Sequence, residues 1–187
     1  DPNDANWTHI EEVLENLNDL VKLGKIRYIG LSNETPWGIT KFLNIAEKKN
    51  LPRVMSIQNG YNLINRVFDI SHSEVSMREK CGLVAYSPLA GGRLTGKYLS
   101  GKKPDNVRYT LWPDRFSRHR TKRGEIAISK YIDIAKKYNI LPNILAHAFV
   151  ISRPFVTSSI IGVTSLQQLK ENIKCVKTTL SEELLYD

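Results

Sequence analysis

Short apolar runs alternating with amphipathic helical stretches predict an α/β fold with parallel strands. The runs at residues 25–31, 54–57, 83–86 and 157–161 are about five residues long, the usual length of a strand. Each pair of neighbouring runs is separated by at least one stretch of helical periodicity. A strand, a helix and another strand pair parallel, through a right-handed crossover.

The elements follow in order. Residues 7–23 carry Ile10, Val13, Leu14, Leu17, Leu20 and Val21 at spacings of three and four, and Gly24 stops the helix. The first strand ends in Ser32-Asn33. Pro36 opens a second helix, through Phe42, Leu43 and Ala46 to Lys49. The second strand ends in Gln58, and residues 67–80 read as one helix. The third strand ends in Tyr86 and is followed by a long basic loop. Residues 125–138 and the stretch from Pro142 through Phe149 read as helices. The last strand leads through Gly162 into a helix over residues 165–177. No linker or low-complexity tract divides the chain, so a single domain over residues 1–187 is expected.

The chain has 187 residues, enough for a sizeable core, and ordinary apolar and charged fractions. No apolar run approaches the ~20 residues of a membrane span, and the first residues lack the pattern of a secretion signal. Cys81 and Cys175 make no disulfide framework, so a reducing, cytoplasmic setting is expected. The net charge of +8 gathers between Arg93 and Arg123, through Lys97, Lys102, Lys103, Arg108, Arg115, Arg118, Arg120 and Lys122. Without a zinc knuckle, a basic helix with heptads or an aromatic ribonucleoprotein motif, nucleic acid is the lesser expectation, and the stretch reads equally as a site for a small anion or as a solvated basic loop.

All four strands end in polar or small residues: Ser32-Asn33, Gln58-Asn59, Tyr86-Ser87, and Gly162 with Thr164. Carboxyl ends of parallel strands are where α/β folds place ligands. The Tyr86 ring suits stacking on a heteroaromatic ring, and Ser32, Asn33 and Gln58 suit a carboxamide. The glycine-bearing loop from Ser87 to Lys97 can wrap a pyrophosphate. Thr164 or Ser165 can cap the last helix, whose Gln168, Glu171 and Asn172 share a face.

The segments KIRYIGLSNET, SIQNGYNLINR, VAYSPLAGGRLTGKY and SIIGVTSLQQLKENI together resemble successive blocks of the aldo-keto reductases. They occur in family order and cover nearly all of the chain. The Glu34-Thr35 pair and the spacing are most similar to the bacterial Tas-like branch, near the potassium-channel β-subunits. The resemblance implies a (β/α)8 TIM barrel that binds NADPH in extended form across the carboxyl ends of its strands. It implies Ser32, Asn33 and Gln58 at the nicotinamide carboxamide, and Tyr86 stacked on the ring. It implies Ser87, Pro88, Leu89, Ala90 and Gly91 along the pyrophosphate, with Lys97 and Arg108 as cations. Gly162, Thr164, Gln168, Glu171 and Asn172 would hold the adenosine end. The match at Arg108 is loose, because the loop varies in length there.

The family reduces carbonyls with an aspartate, a tyrosine, a lysine and a histidine around the carbonyl oxygen, all in the first half of the barrel. No residue here matches one of them. Tyr28 and Tyr61 have no corresponding role, and His9 and His147 lie on helices where packing or exposure is the ordinary reading. His72 and His119 stand beside serines, and Asp114 lies in the basic loop. A complete barrel takes about 250 residues, and four strands cannot close one. The expectation is therefore the C-terminal half of a barrel, strands five to eight with their helices, with the N-terminal half absent. Such a chain would carry the cofactor-binding half of an NADPH-dependent reductase of aldehydes or ketones and be inactive alone. The alternative is a redox-sensing NADPH-binding regulatory subunit like a channel β-subunit. The expected partners are a small carbonyl substrate and, through the exposed half-barrel surface, a second copy of the chain; neither a membrane nor nucleic acid is expected.

Overall fold

A computed structural model describes residues 8–112 and 121–187. Arg115, Arg118, Arg120, Asp114 and His119 lie outside the described residues. The chain divides into two compact units, Asp1–Asn59 with Phe68–Val84, and Gly60–Val67 with Ala85–Asp187. The strand order is β1-β2-β3-β4, with β3 contributing its first residues to the first unit and its last to the second.

In the first unit, helix α1 (Ile10–Lys22) buries Leu14, and α2 (Pro36–Lys49) buries Ile39, Phe42, Leu43 and Ala46. Proline at the first helical position and the Thr35 hydroxyl, which accepts the Gly38 N–H at 3.1 Å, fix the start of α2. Asn50, in the left-handed conformation, ends it. Lys49 reaches Glu11 on α1 at 2.7 Å. Strands β1 (Ile29–Ser32) and β2 (Val54–Gly60) pair parallel, with Ser32 opposite Gln58. Residues 25–28 do not join β1; Tyr28 is three-quarters exposed and packs on no core. The expected helix over 67–80 splits into a 3-10 turn at Val67–Asp69 and a shorter α3 (His72–Arg78). Ser71 interrupts it at φ −139°, outside the helical region.

In the second unit, the end of β3 (Gly82–Tyr86) neighbours β4 (Val156–Ser159), and the Ala85 carbonyl accepts the Ile160 N–H at 2.7 Å. A short α4 (Arg108–Leu111), α5 (Lys122–Lys137), α6 (Pro142–Ile151), α7 (Leu166–Ile173) and α8 (Glu182–Tyr186) complete it. Helix α6 is apolar all round, and Ile144, Leu145, Ala146, His147, Ala148, Phe149 and Val150 are all buried. A helix of that kind belongs at the centre of a core rather than on its surface. Leu145 packs with Ala135 and Leu184, and Ile144 with Ala148 and Cys175. The Phe149 ring stacks on Tyr61 and carries the guanidinium groups of Arg66 and Arg153, 4.6 and 4.9 Å from its centre. Both cysteines are free and buried, and burial pushes their thiols above the ordinary range. Among the described residues no helix is long and apolar enough to cross a membrane.

Candidate functional site

In the first unit the strand tips hold Ser32, Asn33 and Gln58, all exposed. The Asn33 N–H extends the ladder to the Gln58 carbonyl at 2.9 Å, while its side-chain amide donates to the Ser32 hydroxyl at 3.2 Å. Asn33 has φ 55°, a left-handed conformation that asparagine tolerates better than other side chains. The parallel register thus brings these three residues together at one edge. Beside them the Glu34 carbonyl accepts from Asn59 Nδ2 at 3.3 Å and lies 3.0 Å from His72 Nε2. His72 also stacks on Phe68. These contacts give it a packing role.

In the second unit Tyr86 ends β3 half-buried, with Gly60 against its ring. A Cβ at Gly60 would lie 3.2 Å from the ring carbons, so glycine lets the backbone approach the ring closely. The Tyr86 carbonyl accepts the Tyr61 N–H at 3.2 Å. Ser87 (φ 56°), Ala90 (φ 49°), Gly91 (φ 70°) and Gly92 (φ 94°) are left-handed, while Pro88 is buried and Leu89 half-buried between them. This is an irregular 3-10 turn over Ala90–Thr95. Ala90, Gly91 and Gly92 are three left-handed residues in succession, which turns the chain sharply here.

Lys97 lies directly against this turn. A Cβ on Gly92 would fall 3.3 Å from Lys97 Nζ, and a Cβ on Gly91 would fall 2.9 Å from the Tyr109 hydroxyl oxygen. Lys97 keeps an exposed surface. Desolvation of its inner part nevertheless lowers its ammonium below the ordinary lysine value, and the charge of Arg108 lowers it further. The positive charge of Lys97 and Arg108 suits an anion such as a pyrophosphate, while the Ala90 and Gly92 N–H groups are spent within the turn on the Ser87 and Leu89 carbonyls.

Strand β4 stops at Ser159, so Gly162 and Thr164 lie exposed in its connection to α7 rather than at the strand tip, and α7 contributes an exposed Gln168. Ser165 caps α7, accepting the Gln168 N–H at 3.2 Å. The Gln168 side chain turns back to accept from Thr164 N–H at 3.0 Å and from its hydroxyl at 3.2 Å. Glu171 accepts from Gln167, and Asn172 is buried, accepting from Asn143 Nδ2 at 3.3 Å. Gln168 and Glu171 remain on the accessible side of α7; Asn172 ties α7 to α6.

Sequence reasoning missed Asn62. It is buried, donates from Nδ2 to the Ser87 carbonyl at 2.9 Å, and accepts the Ile64 N–H at 3.0 Å. It therefore sets the carbonyl of the loop's first residue. The signal was present in the SIQNGYNLINR segment, where three asparagines flank a glycine. His147 is buried on α6, and desolvation lowers it to about 4, so it is neutral in ordinary buffer. Among the described residues no group of three or more histidine, cysteine, aspartate or glutamate side chains is placed to hold a metal ion.

The family model for the aldo/keto reductase family matches residues 3–185. Protein tas of Escherichia coli strain K12 is 45% identical over 174 residues, which cover 93% of this chain and 50% of that protein. An aldo-keto reductase of Babesia bovis is 38% identical over 187 residues, 95% of this chain and 64% of that protein. A putative voltage-gated potassium channel subunit beta of Schizosaccharomyces pombe is 28% identical over 172 residues, 90% of this chain and 50% of that protein. The chain thus spans about half to two thirds of the length of these relatives.

Proposed function

The chain belongs to the aldo/keto reductase family, and from that premise we propose that it is the cofactor-binding part of an NADPH-dependent oxidoreductase that reduces aldehydes or ketones to alcohols. In this reading it forms strands five to eight of a (β/α)8 barrel. The observation that carries the reading is the left-handed turn from Ser87 to Gly92 with Lys97 packed against it and Arg108 adding its charge.

When bound, NADPH supplies the hydride. Ser32, Asn33 and Gln58 orient a carboxamide, and Tyr86 gives a flat wall for a heteroaromatic ring. Ser87, Pro88, Leu89, Ala90 and Gly91 follow the pyrophosphate. Lys97 and Arg108 supply positive charge along it, and the surplus of basic residues between Arg93 and Arg123 favours the cofactor carrying the extra phosphate. Gly162, Thr164, Gln168, Glu171 and Asn172 serve the adenosine end, with Asn172 acting by holding α7. Among the described residues none is placed as a proton donor for carbonyl reduction, and in this reading the chain alone is inactive.

A second reading, a regulatory subunit that reports redox state, draws on the similarity to the yeast channel-β-like protein. Turnover by the whole protein separates the two: fast reduction favours the enzyme, and tight cofactor retention with slow turnover favours the regulator.

The test is a fluorescence titration of the purified chain with NADPH and NADH, alongside an assay of aldehyde reduction. Weak binding that prefers NADPH, lost in Lys97→Ala, with no turnover, is the expected result. Aldehyde reduction by this chain alone would refute its role as an incomplete barrel. Equal affinity for NADH would refute the phosphate preference.

A further inference from the structure

Arg93 is a cation that the cofactor reading leaves unused. It lies within the Ala90–Thr95 turn with only 7% of its side chain exposed. One terminal nitrogen donates to Glu125 at 3.1 Å, and its plane lies over the Tyr109 ring, 5.7 Å from the centre. Its Nε has no hydrogen-bond partner among the described residues. A buried guanidinium with an unused donor is costly unless an acceptor reaches it.

Arg93 borders a cavity of about 440 Å³, with Lys102, Lys103, Tyr98, Tyr109 and Glu125 in its wall. That volume suits a small molecule. Tyr98 and Tyr109 meet edge to face, with centroids 4.9 Å apart, and give the cavity an apolar side. Three cations against one carboxylate leave a surplus of two positive charges. A phosphate monoester carries close to two negative charges at neutral pH. Neither Lys97 nor Arg108 lines the cavity, which adjoins the cofactor residues through Tyr98, 5.2 Å beneath Lys97 Nζ, and Tyr109, which donates to the Ala90 carbonyl.

We propose that this cavity binds a small phosphate monoester with an apolar or aromatic body. Arg93 supplies fixed positive charge at the buried end, with one terminal nitrogen held by Glu125. Lys102 and Lys103, both exposed, supply mobile point charges at the mouth. The tyrosine rings line the body of the ligand.

The experiment is a titration of the isotope-labelled chain with phenyl phosphate, followed by NMR at the Gly101 and Thr110 amides and at the Arg93 Nε–H. Benzoate and phenol form the comparison arms. Saturable shifts at all three positions are expected, with benzoate weaker and phenol silent. The double variant Lys102→Glu/Lys103→Glu, on exposed positions that leave the core untouched, should weaken phenyl phosphate binding by about tenfold or more. Lys170→Ala, at an exposed position on α7, should leave it unchanged. The proposal is overturned by an absence of saturable shifts, by benzoate binding as tightly, by indifference to the double variant, or by equal loss of binding in Lys170→Ala.

Discussion

Asn33 hands its backbone N–H to the carbonyl of Gln58 across 2.9 Å, one residue beyond the end of β1. The bond holds Asn33 at φ 55°, so the position demands a residue that accepts the left-handed region. Asn33→Val should lower stability by about 1–2 kcal/mol, and Asn33→Gly by much less. Thermal denaturation measures both. The glycine variant also loses the side-chain amide and should bind NADPH about tenfold more weakly while staying folded. Unchanged affinity would remove Asn33 from the proposed carboxamide contacts.

Gly91 is constrained twice, by φ 70° and by the Tyr109 hydroxyl that would meet a Cβ at 2.9 Å. Gly91→Ala should cost about 1–2 kcal/mol from conformation alone. It should also weaken NADPH through displacement of the turn. Chemical denaturation read beside cofactor fluorescence tests the two effects together.

Desolvation and Arg108 hold Lys97 below the ordinary lysine value. A bound pyrophosphate favours the charged ammonium, so NADPH binding should draw a proton onto Lys97 at alkaline pH. Affinity should therefore fall as pH rises through the lowered value, and that fall should be absent in Lys97→Ala. Titrations at a series of alkaline pH values decide this.

His147 gives a prediction in acid. Burial lowers it to about 4 in the folded chain, against an ordinary value of 6.5. Below 6.5 the unfolded chain takes up a proton that the folded chain refuses. Stability should drop between pH 6.5 and 4 by roughly 3 kcal/mol from this group, then stop changing on its account. His147→Leu should flatten that part of the profile, as followed by denaturation across the range.

The sequence showed the second helix accurately because Pro36, the Thr35 cap and the apolar spacing all act within one segment. It overextended the helix at 67–80, where Ser71 leaves the helical region and nothing in the periodicity marks the break. Helices α4 and α8 escaped because four or five residues are too short to display a period. In the site, the glycine turn and the polar strand tips were legible as residue types in order. The burial of Arg93 was not, since it depends on Gly91 and Gly92 redirecting the chain and on Glu125, 32 residues away. Asn62 escaped for a similar reason, because the Ser87 carbonyl it holds lies 25 residues on.

Helix α6 buries every residue from Ile144 to Val150, whereas the Ala90–Thr95 turn is a short, irregular segment. Amide protons of α6 should therefore exchange with solvent only when the whole unit opens, and those of the turn through local fluctuation. The turn would then be soft material carried on a rigid post, free to adjust without loosening the helix beneath it.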